Sequence, residues 1–317
     1  MFTESLKVLD NVRLNFSDQG VVLMNITIAF IMFGVALDMK IENFRKLFVN
    51  PKAMIVGAVS QIILVPSLTF LLILIVRPSP SIAFGMILVA ACPGGNISNF
   101  ITSLAKGNIT LAVSLTALST LLAVFTVPFN FAFWGGLYAK TSPYLRPIHI
   151  DAFQMFKTVI ILLGVPVAAG ILFSKYFPKI TQKIFKPIRI ASIFAFFGFV
   201  VGAFAANFEH FLNYIQLIFI IVLIHNAMAL LSGFLFASAM RLQPIDRRTI
   251  SIESGIHNSG LGLALIFNPK IFPPDLGLGG MAFIAAWWGI WHIISGMGIA
   301  TFWSWKSKRK KDGETLT

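Results

Sequence analysis

The chain has 317 residues, of which 57% are hydrophobic and only 12% are charged, and its formal net charge is +13. A mean hydropathy of +0.84 and 32 phenylalanines lie far outside the range of water-soluble globular proteins. The basic residues occupy short loops between apolar stretches, which argues against a nucleic-acid-binding surface. The single cysteine, Cys92, excludes an internal disulfide and a thiol-based metal cluster. This composition indicates a membrane protein.

The apolar stretches predict an all-α integral membrane protein. A helix needs about 20 mostly apolar residues to cross about 30 Å of hydrocarbon. Residues 1–19 lack such a run and are predicted to form a polar segment that is neither a signal peptide nor a span. Nine later stretches meet the requirement and predict nine transmembrane helices. They lie near residues 20–38, 53–76, 81–105, 108–137, 154–174, 190–207, 213–240, 249–268 and 279–304.

Loop charges predict the orientation, because lysines and arginines near the ends of spans remain on the cytoplasmic side. Most of the 25 basic residues lie in alternate loops and in the tail 305–317. We therefore expect a multi-pass protein of the cell's inner (plasma) membrane. Its N-terminus would lie outside and its basic tail in the cytoplasm.

Glu253 is the one acidic residue that falls in the interior of a predicted span, since Asp38 occupies the last position of the first one. A charge near the bilayer centre costs roughly 3 kcal/mol on insertion scales, so it persists where a cation, a proton or a polar cavity compensates it. The default interpretation is an ion-coupled site.

Two predicted spans are interrupted by glycines and polar residues, at 92–99 and at 253–260. Non-helical backbone is tolerated in a membrane where protein or water satisfies its free groups, so both interruptions should face an interior cavity. Freed carbonyls can bind a cation, and half-helix N-termini can bind an anion. Tight packing of small residues would explain Gly94 and Gly95 equally well. It would not explain Glu253.

The interrupted span is the third of four in each half of the chain, and the halves start on opposite sides of the membrane. This arrangement predicts an inverted repeat, with one repeat at about 20–137 and the other at about 154–304. Corresponding broken helices in two halves are typical of the midplane binding site of a secondary transporter. The transmembrane domain would therefore comprise residues 20–304.

At these residues the chain resembles the bile acid:sodium symporter family, over nearly its whole hydrophobic region. The resemblance implies a core domain with two crossing discontinuous helices and a panel domain that supports its movement. The matching motifs are 30–34, Gln61 with Pro66, 92–95 with Ser98 and Asn99, 118–121, His225-Asn226, 253–260, and Trp291-His292 with Ser295-Gly296.

The resemblance also implies two sodium sites behind the crossing and a substrate site in front of it. The first sodium site would use Ser98, Asn99, Thr116 and Glu253. The second would use Gln61, Glu253, the carbonyls of Ser254 and Ile256, and the side chain of His257. The substrate, an organic anion, would contact Asn96, Asn258 and His292. Oxygen ligands suit a hard cation such as Na+, the expected coupling ion.

Three positions depart from the family pattern and keep alternatives open. Ala112 replaces a hydroxyl of the first sodium site, and His257 replaces an amide of the second. Imidazole is a poor Na+ ligand and can exchange a proton, so proton-coupled or proton-modulated transport is an alternative. Ile293 removes a polar position near the substrate, which favours a pantoate-like acid over a bile acid. His225 and Asn226 are interpreted as interhelical hydrogen-bonding groups, with substrate binding as the alternative.

Two other function classes fit the sequence less well. One acid in an asymmetric two-repeat chain does not supply the ring of ligands that a channel filter needs. An intramembrane enzyme would need paired carboxylates, a histidine-rich metal motif or a nucleophile beside a base, and none of these occurs in the sequence. We therefore expect a sodium-coupled symporter and not an enzyme.

Overall fold

In the computed structural model, the described residues are 18–37, 51–95, 97–141, 152–206, 208–268, 270–272 and 277–314. All the named elements in these ranges are helices. In chain order they are α1 (Asp18–Ala36), α2 (Pro51–Val76), α3 (Pro80–Ala91), α4 (Ile97–Leu104), α5 (Ile109–Thr141), α6 (Ala152–Tyr176), α7 (Pro178–Ala206), α8 (Phe208–Ala239), α9 (Pro244–Gly255), α10 (Ser259–Ile266) and α11 (Gly279–Glu314).

Several of these helices are long and apolar enough to cross a membrane. Within the described ranges five qualify by length and composition, namely Pro51–Val76, Ile109–Thr141, Phe153–Tyr176, Ile218–Ala239 and Gly279–Arg309. Their outward faces carry large exposed side chains such as Ile75, Phe129 and Ile161, which a lipid environment accommodates. The chain is therefore a multi-pass membrane protein, and the count of nine spans stays a prediction.

The helices overlap all nine predicted spans, but some extend further. Helix α7 begins at Pro178, where the sequence predicted a start near residue 190. Helix α11 continues to Glu314, through most of the predicted basic tail, because lysine and arginine are good helix formers. Hydropathy marks the apolar part of such helices and misses their polar ends.

The two interruptions predicted from the sequence are present as breaks between α3 and α4 and between α9 and α10. Short extended segments at the breaks lie side by side, and Gly94 and His257 form an isolated antiparallel bridge. The amide of Gly95 donates to the carbonyl of Ile256 at 3.0 Å, and the amide of Asn258 donates to that of Pro93 at 2.8 Å. Each break therefore satisfies backbone groups of the other, as buried backbone requires.

Helix α2 contains a π-helical turn at Ser60–Leu64, just before Pro66. Proline has no amide hydrogen and displaces the carbonyl four residues earlier, here that of Ile62. That carbonyl accepts a hydrogen bond from the side-chain amide of Asn130 in α5, at 3.1 Å. Helix α6 has a second π-helical turn, Ile160–Gly164, before Pro166. Turns of this kind are frequent at functional sites, and the one in α2 faces Glu253, as described below.

The helices pack in two groups. Helix α1 packs against α6 and α7, whereas α11 packs against α3, α4, α8 and α10. The short helix α3 lies at the centre of the second group, and every one of its residues from Ser81 to Ala91 is buried. Helix α5 packs on α3 of the second group and on α6 of the first, and α10 contacts α1, so the two groups meet there.

Gly85 allows the close approach of α3 and α11, which yields the first prediction. A Cβ at this position would lie 2.8 Å from the Cα of Met281 and 3.2 Å from the Cβ of Ile284. We expect Gly85→Ala to lower the free energy of unfolding by about 1–3 kcal/mol, because two backbones must separate. Thermal unfolding of the purified protein in detergent measures this loss.

Gly136→Ala in α5 is the matched control, since a Cβ there meets nothing within 4 Å. We expect its stability to be unchanged or raised by up to about 1 kcal/mol, because alanine favours the helix. Equal melting temperatures for the two variants would contradict the close packing of α3 on α11.

Candidate cation site at the helix crossing

The carboxylate of Glu253 lies in the last turn of α9 and is fully buried beside the crossing. The hydroxyl of Ser98, in α4, donates to its Oε1 at 2.5 Å. The hydroxyl of Thr116, in α5, donates to its Oε2 at 3.0 Å. Asn99 is next in line, with its Oδ1 3.5 Å from the Thr116 hydroxyl. The four residues expected at the first sodium site are therefore neighbours.

Gln61 joins the same carboxylate from α2. Its Nε2 lies 2.9 Å from the backbone carbonyl oxygen of Glu253 and 3.3 Å from Oε2, and its Oε1 is buried without a hydrogen-bond partner among the described residues. The hydroxyl of Ser60, one residue earlier, lies 2.8 Å from that of Ser254. Both contacts come from the π-helical turn, which directs consecutive residues of α2 at α9.

The end of α9 supplies carbonyl groups that are free of the helix ladder. The carbonyl of Gly255 accepts from the side-chain amide of Asn226 at 2.7 Å, and that of Ile256 accepts from Gly95. By contrast, no residue outside α9 in the described part of the chain donates a hydrogen bond to the carbonyl of Ser254. Ser254 was expected at the second sodium site, and its carbonyl oxygen is a ligand type that a hard cation accepts.

His225 and Asn226 make the interhelical hydrogen bonds that the sequence predicted. The Nε2 of His225 lies 2.8 Å from the hydroxyl of Thr69 in α2. Asn226 holds the carbonyl of Gly255, and its own Oδ1 accepts from the hydroxyl of Ser295 at 2.5 Å. This chain of contacts fixes the end of α9 against α8 and α11.

His257 packs against an indole and makes no polar contact with the carboxylate in the described residues. Its ring stacks on that of Trp288, with the centroids 5.5 Å apart and an interplanar angle of 30°. Both ring nitrogens are buried without a hydrogen-bond partner among those residues. The ring of His225 packs on the same indole in an edge-to-face arrangement, with the centroids 4.7 Å apart. The structure thus places His257 within the break between α9 and α10, with its ring on the side of α11.

The expected substrate residues are distributed differently. Asn258 is the N-cap of α10: its Oδ1 accepts from the amide of Leu261 at 3.1 Å, while its Nδ2 lies 3.8 Å from the sulfur of Met32 in α1. His292 is buried in α11, and its Nδ1 has no partner in the described part of the chain. Asn96 lies outside the described residues.

The sequence reasoning missed three residues that complete this region. Ser60, Asn130 and Trp288 contact Ser254, the π-helical turn of α2 and His257, respectively. Pro66 is the signal that could have found Asn130, because a proline in a membrane helix frees a carbonyl that a neighbouring polar side chain must satisfy. Trp288 carries no comparable signal.

Among the described residues, no group of three or more histidines, cysteines and acids could hold a metal ion. The polar side chains around Glu253 instead carry oxygen, as the hydroxyls of Ser98 and Thr116, the amide of Asn99 and the amide of Gln61, whose nitrogen faces the carboxylate. Such oxygens are ligands for hard cations, whereas zinc and similar metals favour nitrogen and sulfur. The single negative charge of Glu253 would match the single positive charge of an alkali cation.

Comparisons with known proteins agree with this chemistry. The model of the "Sodium Bile acid symporter family" matches residues 25–214. The "uncharacterized sodium-dependent transporter YocS" of Bacillus subtilis is 32% identical over 92% of this chain and 85% of its own length.

Two plant proteins are also similar. The "probable sodium/metabolite cotransporter BASS1, chloroplastic" of Arabidopsis thaliana is 30% identical over 74% of this chain. The rice protein with the corresponding name BASS2 is 30% identical over 84% of it. The matches span 56% and 64% of the plant proteins' own lengths. These relatives are named as cotransporters, so the chain is a transport protein and not an enzyme. It belongs to the sodium bile acid symporter family.

Proposed function

We propose that this protein is a secondary active symporter that moves an organic anion together with Na+ by alternating access. The observation that carries the proposal is the environment of Glu253. Its carboxylate is fully buried, and its contacts in the described residues are to uncharged groups of Ser98, Thr116 and Gln61. A buried carboxylate without a basic partner needs a compensating cation or proton.

The hydroxyl and amide groups around Glu253 suit Na+ as the compensating cation. Hydroxyl and amide side chains can donate a hydrogen bond to the carboxylate or turn a lone pair to a cation. Asn99, Gln61 and the carbonyl of Ser254 would add oxygen ligands within the same cluster. We place the first Na+ between Glu253, Ser98, Asn99 and Thr116. A second Na+ would use Gln61, Glu253, the carbonyls of Ser254 and Ile256, and the position of His257.

The anion would bind on the other side of the break, at the start of α10. Asn258 uses its oxygen to cap the helix, so that its amide hydrogens point away from the cap toward α1, where a thioether is a weak acceptor. A helix N-terminus with an amide donor suits a carboxylate. Asn96 and His292 would complete the site. We favour a pantoate-like acid and keep a bile acid as the alternative.

The break couples the two sites, because Glu253 and Asn258 are only five residues apart on one chain segment. A cation that draws Glu253, Ser98 and Thr116 together would fix the crossing and the anion donors beyond it. Cation and anion would then raise each other's affinity reciprocally. Helices α1, α6 and α7 would form the panel, against which the other helices move as a core. The protein would lie in the plasma membrane with its C-terminus in the cytoplasm.

The second prediction concerns Glu253→Gln. The amide keeps the shape of the side chain but removes the negative charge, so we expect the variant to lose sodium binding. For wild-type protein at ten times its sodium dissociation constant, the stabilisation by sodium over choline should be about 1.4 kcal/mol. Thermal unfolding in matched sodium and choline salts measures this difference.

Glu314→Gln, at the last residue of α11, makes the same substitution far from the break and should retain the full response to sodium. A Glu253→Gln variant that remains folded and is still stabilised by sodium would contradict the proposed cation site.

The third prediction concerns His257→Gln. The imidazole lies on Trp288 and is a poor sodium ligand, whereas a glutamine offers a carbonyl oxygen. We expect the variant to bind Na+ about three- to tenfold more tightly, which takes the added oxygen ligand as equal in strength to one hydrogen bond, about 1 kcal/mol. Sodium titration of the melting temperature between pH 5.5 and 8 checks this expectation.

His225→Gln is the control, because it removes a second imidazole from the same indole. The proton-coupled alternative predicts a different result. The melting temperature would follow pH, would not change with sodium, and would lose its pH dependence in His257→Gln. That outcome would replace Na+ by a proton at Glu253 and His257.

A further inference from the structure

Four residues join the beginning of α9 to the turn between α4 and α5, far from the break. The side-chain amide of Asn108 donates to Oδ1 of Asp246 at 2.8 Å, and its backbone amide donates to the hydroxyl of Thr249 at 2.7 Å. The guanidinium of Arg248 donates to the carbonyl of Ala105 at 3.1 Å. We call Asn108, Asp246, Arg248 and Thr249 the register clasp.

The clasp is built into a tightly packed place. Asp246 is 2% exposed and Thr249 is fully buried. Gly107 lies directly against it: a Cβ there would be 2.8 Å from the hydroxyl oxygen of Thr249 and 2.8 Å from Thr102. Asn108 also caps α5, since its Oδ1 accepts from the amide of Leu111 at 3.0 Å. The side chain of Asn108 therefore uses its donor and its acceptor at once.

Two helices leave the clasp and meet again at the carboxylate. Helix α5 reaches Thr116 eight residues after Asn108, which is about 12 Å along the axis. Helix α9 reaches Glu253 seven residues after Asp246, which is about 10.5 Å. The helices pack on each other between these ends, and the hydroxyl of Thr116 lies 3.0 Å from Oε2 of Glu253. Because α5 and α9 run similar distances from the register clasp, the side chains of Thr116 and Glu253 lie at the same position along the helix pair.

We propose that the register clasp positions Glu253 against Thr116 and Ser98 and thereby sets the affinity for Na+, an inference that rests on the proposed function. Hydroxyl donors usually lie within about 3.0 Å of their acceptors, so an axial slip of about 1 Å between α5 and α9 would break the hydrogen bond of Thr116 to Glu253. The contacts of Asn108 and Thr249 oppose such a slip. Arg248 adds a second tie, because it also donates to Ser307 of α11 at 2.8 Å. These residues are positioning residues, since they do not touch the carboxylate.

The test exchanges the two partners. Asn108→Asp places a second carboxylate opposite Asp246 and removes the donor, and we expect the sodium concentration at half-maximal stabilisation to rise about tenfold. The double variant Asn108→Asp with Asp246→Asn restores a donor and an acceptor in reversed order. The sodium midpoint of the double variant should fall from that of Asn108→Asp to within about threefold of that of Asp246→Asn alone, in which residue 246 still offers an oxygen to Asn108. Sodium titration of the melting temperature of the purified protein gives all these values.

A purely structural role would lower the melting temperature in choline and leave the sodium midpoint unchanged, and this result would overturn the proposal. The double variant failing to recover the midpoint would also overturn it. Asn268→Asp is the control for the added charge, because Asn268 likewise uses Oδ1 to accept from a backbone amide, that of Lys270. Its sodium midpoint should stay at the wild-type value.

If Asn108→Asp does not fold, a comparison of Asp246→Ala with Asp246→Asn takes its place. The alanine removes the acceptor and should raise the sodium midpoint, whereas the asparagine keeps an oxygen for Asn108; equal midpoints would refute the clasp. The proposed function fails separately, if wild-type protein shows no response to sodium. A response that Glu253→Gln abolishes and that the clasp variants retain at the wild-type midpoint would sustain the proposed function and reject the clasp.

Discussion

The structure depends on one constraint, the burial of the Glu253 carboxylate at the end of a broken helix. Three helices bring uncharged partners to it: Ser98 from α4, Thr116 from α5 and Gln61 from α2. These groups orient the charge without neutralising it. A cation or a proton from the surroundings would lower the free energy of this buried charge, and the proposed coupling rests on that interaction.

The surrounding backbone is shaped to make this burial possible. The breaks at Gly94 and His257 satisfy amides and carbonyls of each other, which gives most of the buried end of α9 hydrogen-bond partners. The π-helical turn before Pro66 directs consecutive side chains of α2 to α9. Each device is an irregularity in a membrane helix, and each is compensated by a contact from another helix. The proposed ion site and the irregular backbone coincide in this region.

Part of this could be predicted from the sequence, because hydropathy and rare polar residues are strong signals within a membrane. They predicted both helix breaks, the buried position of Glu253 and, through the family resemblance, its neighbours Ser98, Thr116 and Gln61. They did not predict the stacking of His257 on Trp288 or the contact of Asn108 with Asp246. Those contacts depend on the rotation and axial position of packed helices, which hydropathy does not encode. The additional helical turns at the start of α7 and at the end of α11 were missed because polar helical turns resemble loops in composition.

The most direct test of the central claim is calorimetry of substrate binding to the purified protein. Pantoate and taurocholate would each be titrated in sodium and in choline at matched ionic strength, with wild-type protein and with Glu253→Gln. The account predicts that at least one anion binds the wild-type protein more tightly in sodium, and that the gain disappears in the variant. Equal affinities in the two salts, or a gain that survives the loss of the carboxylate, would contradict it.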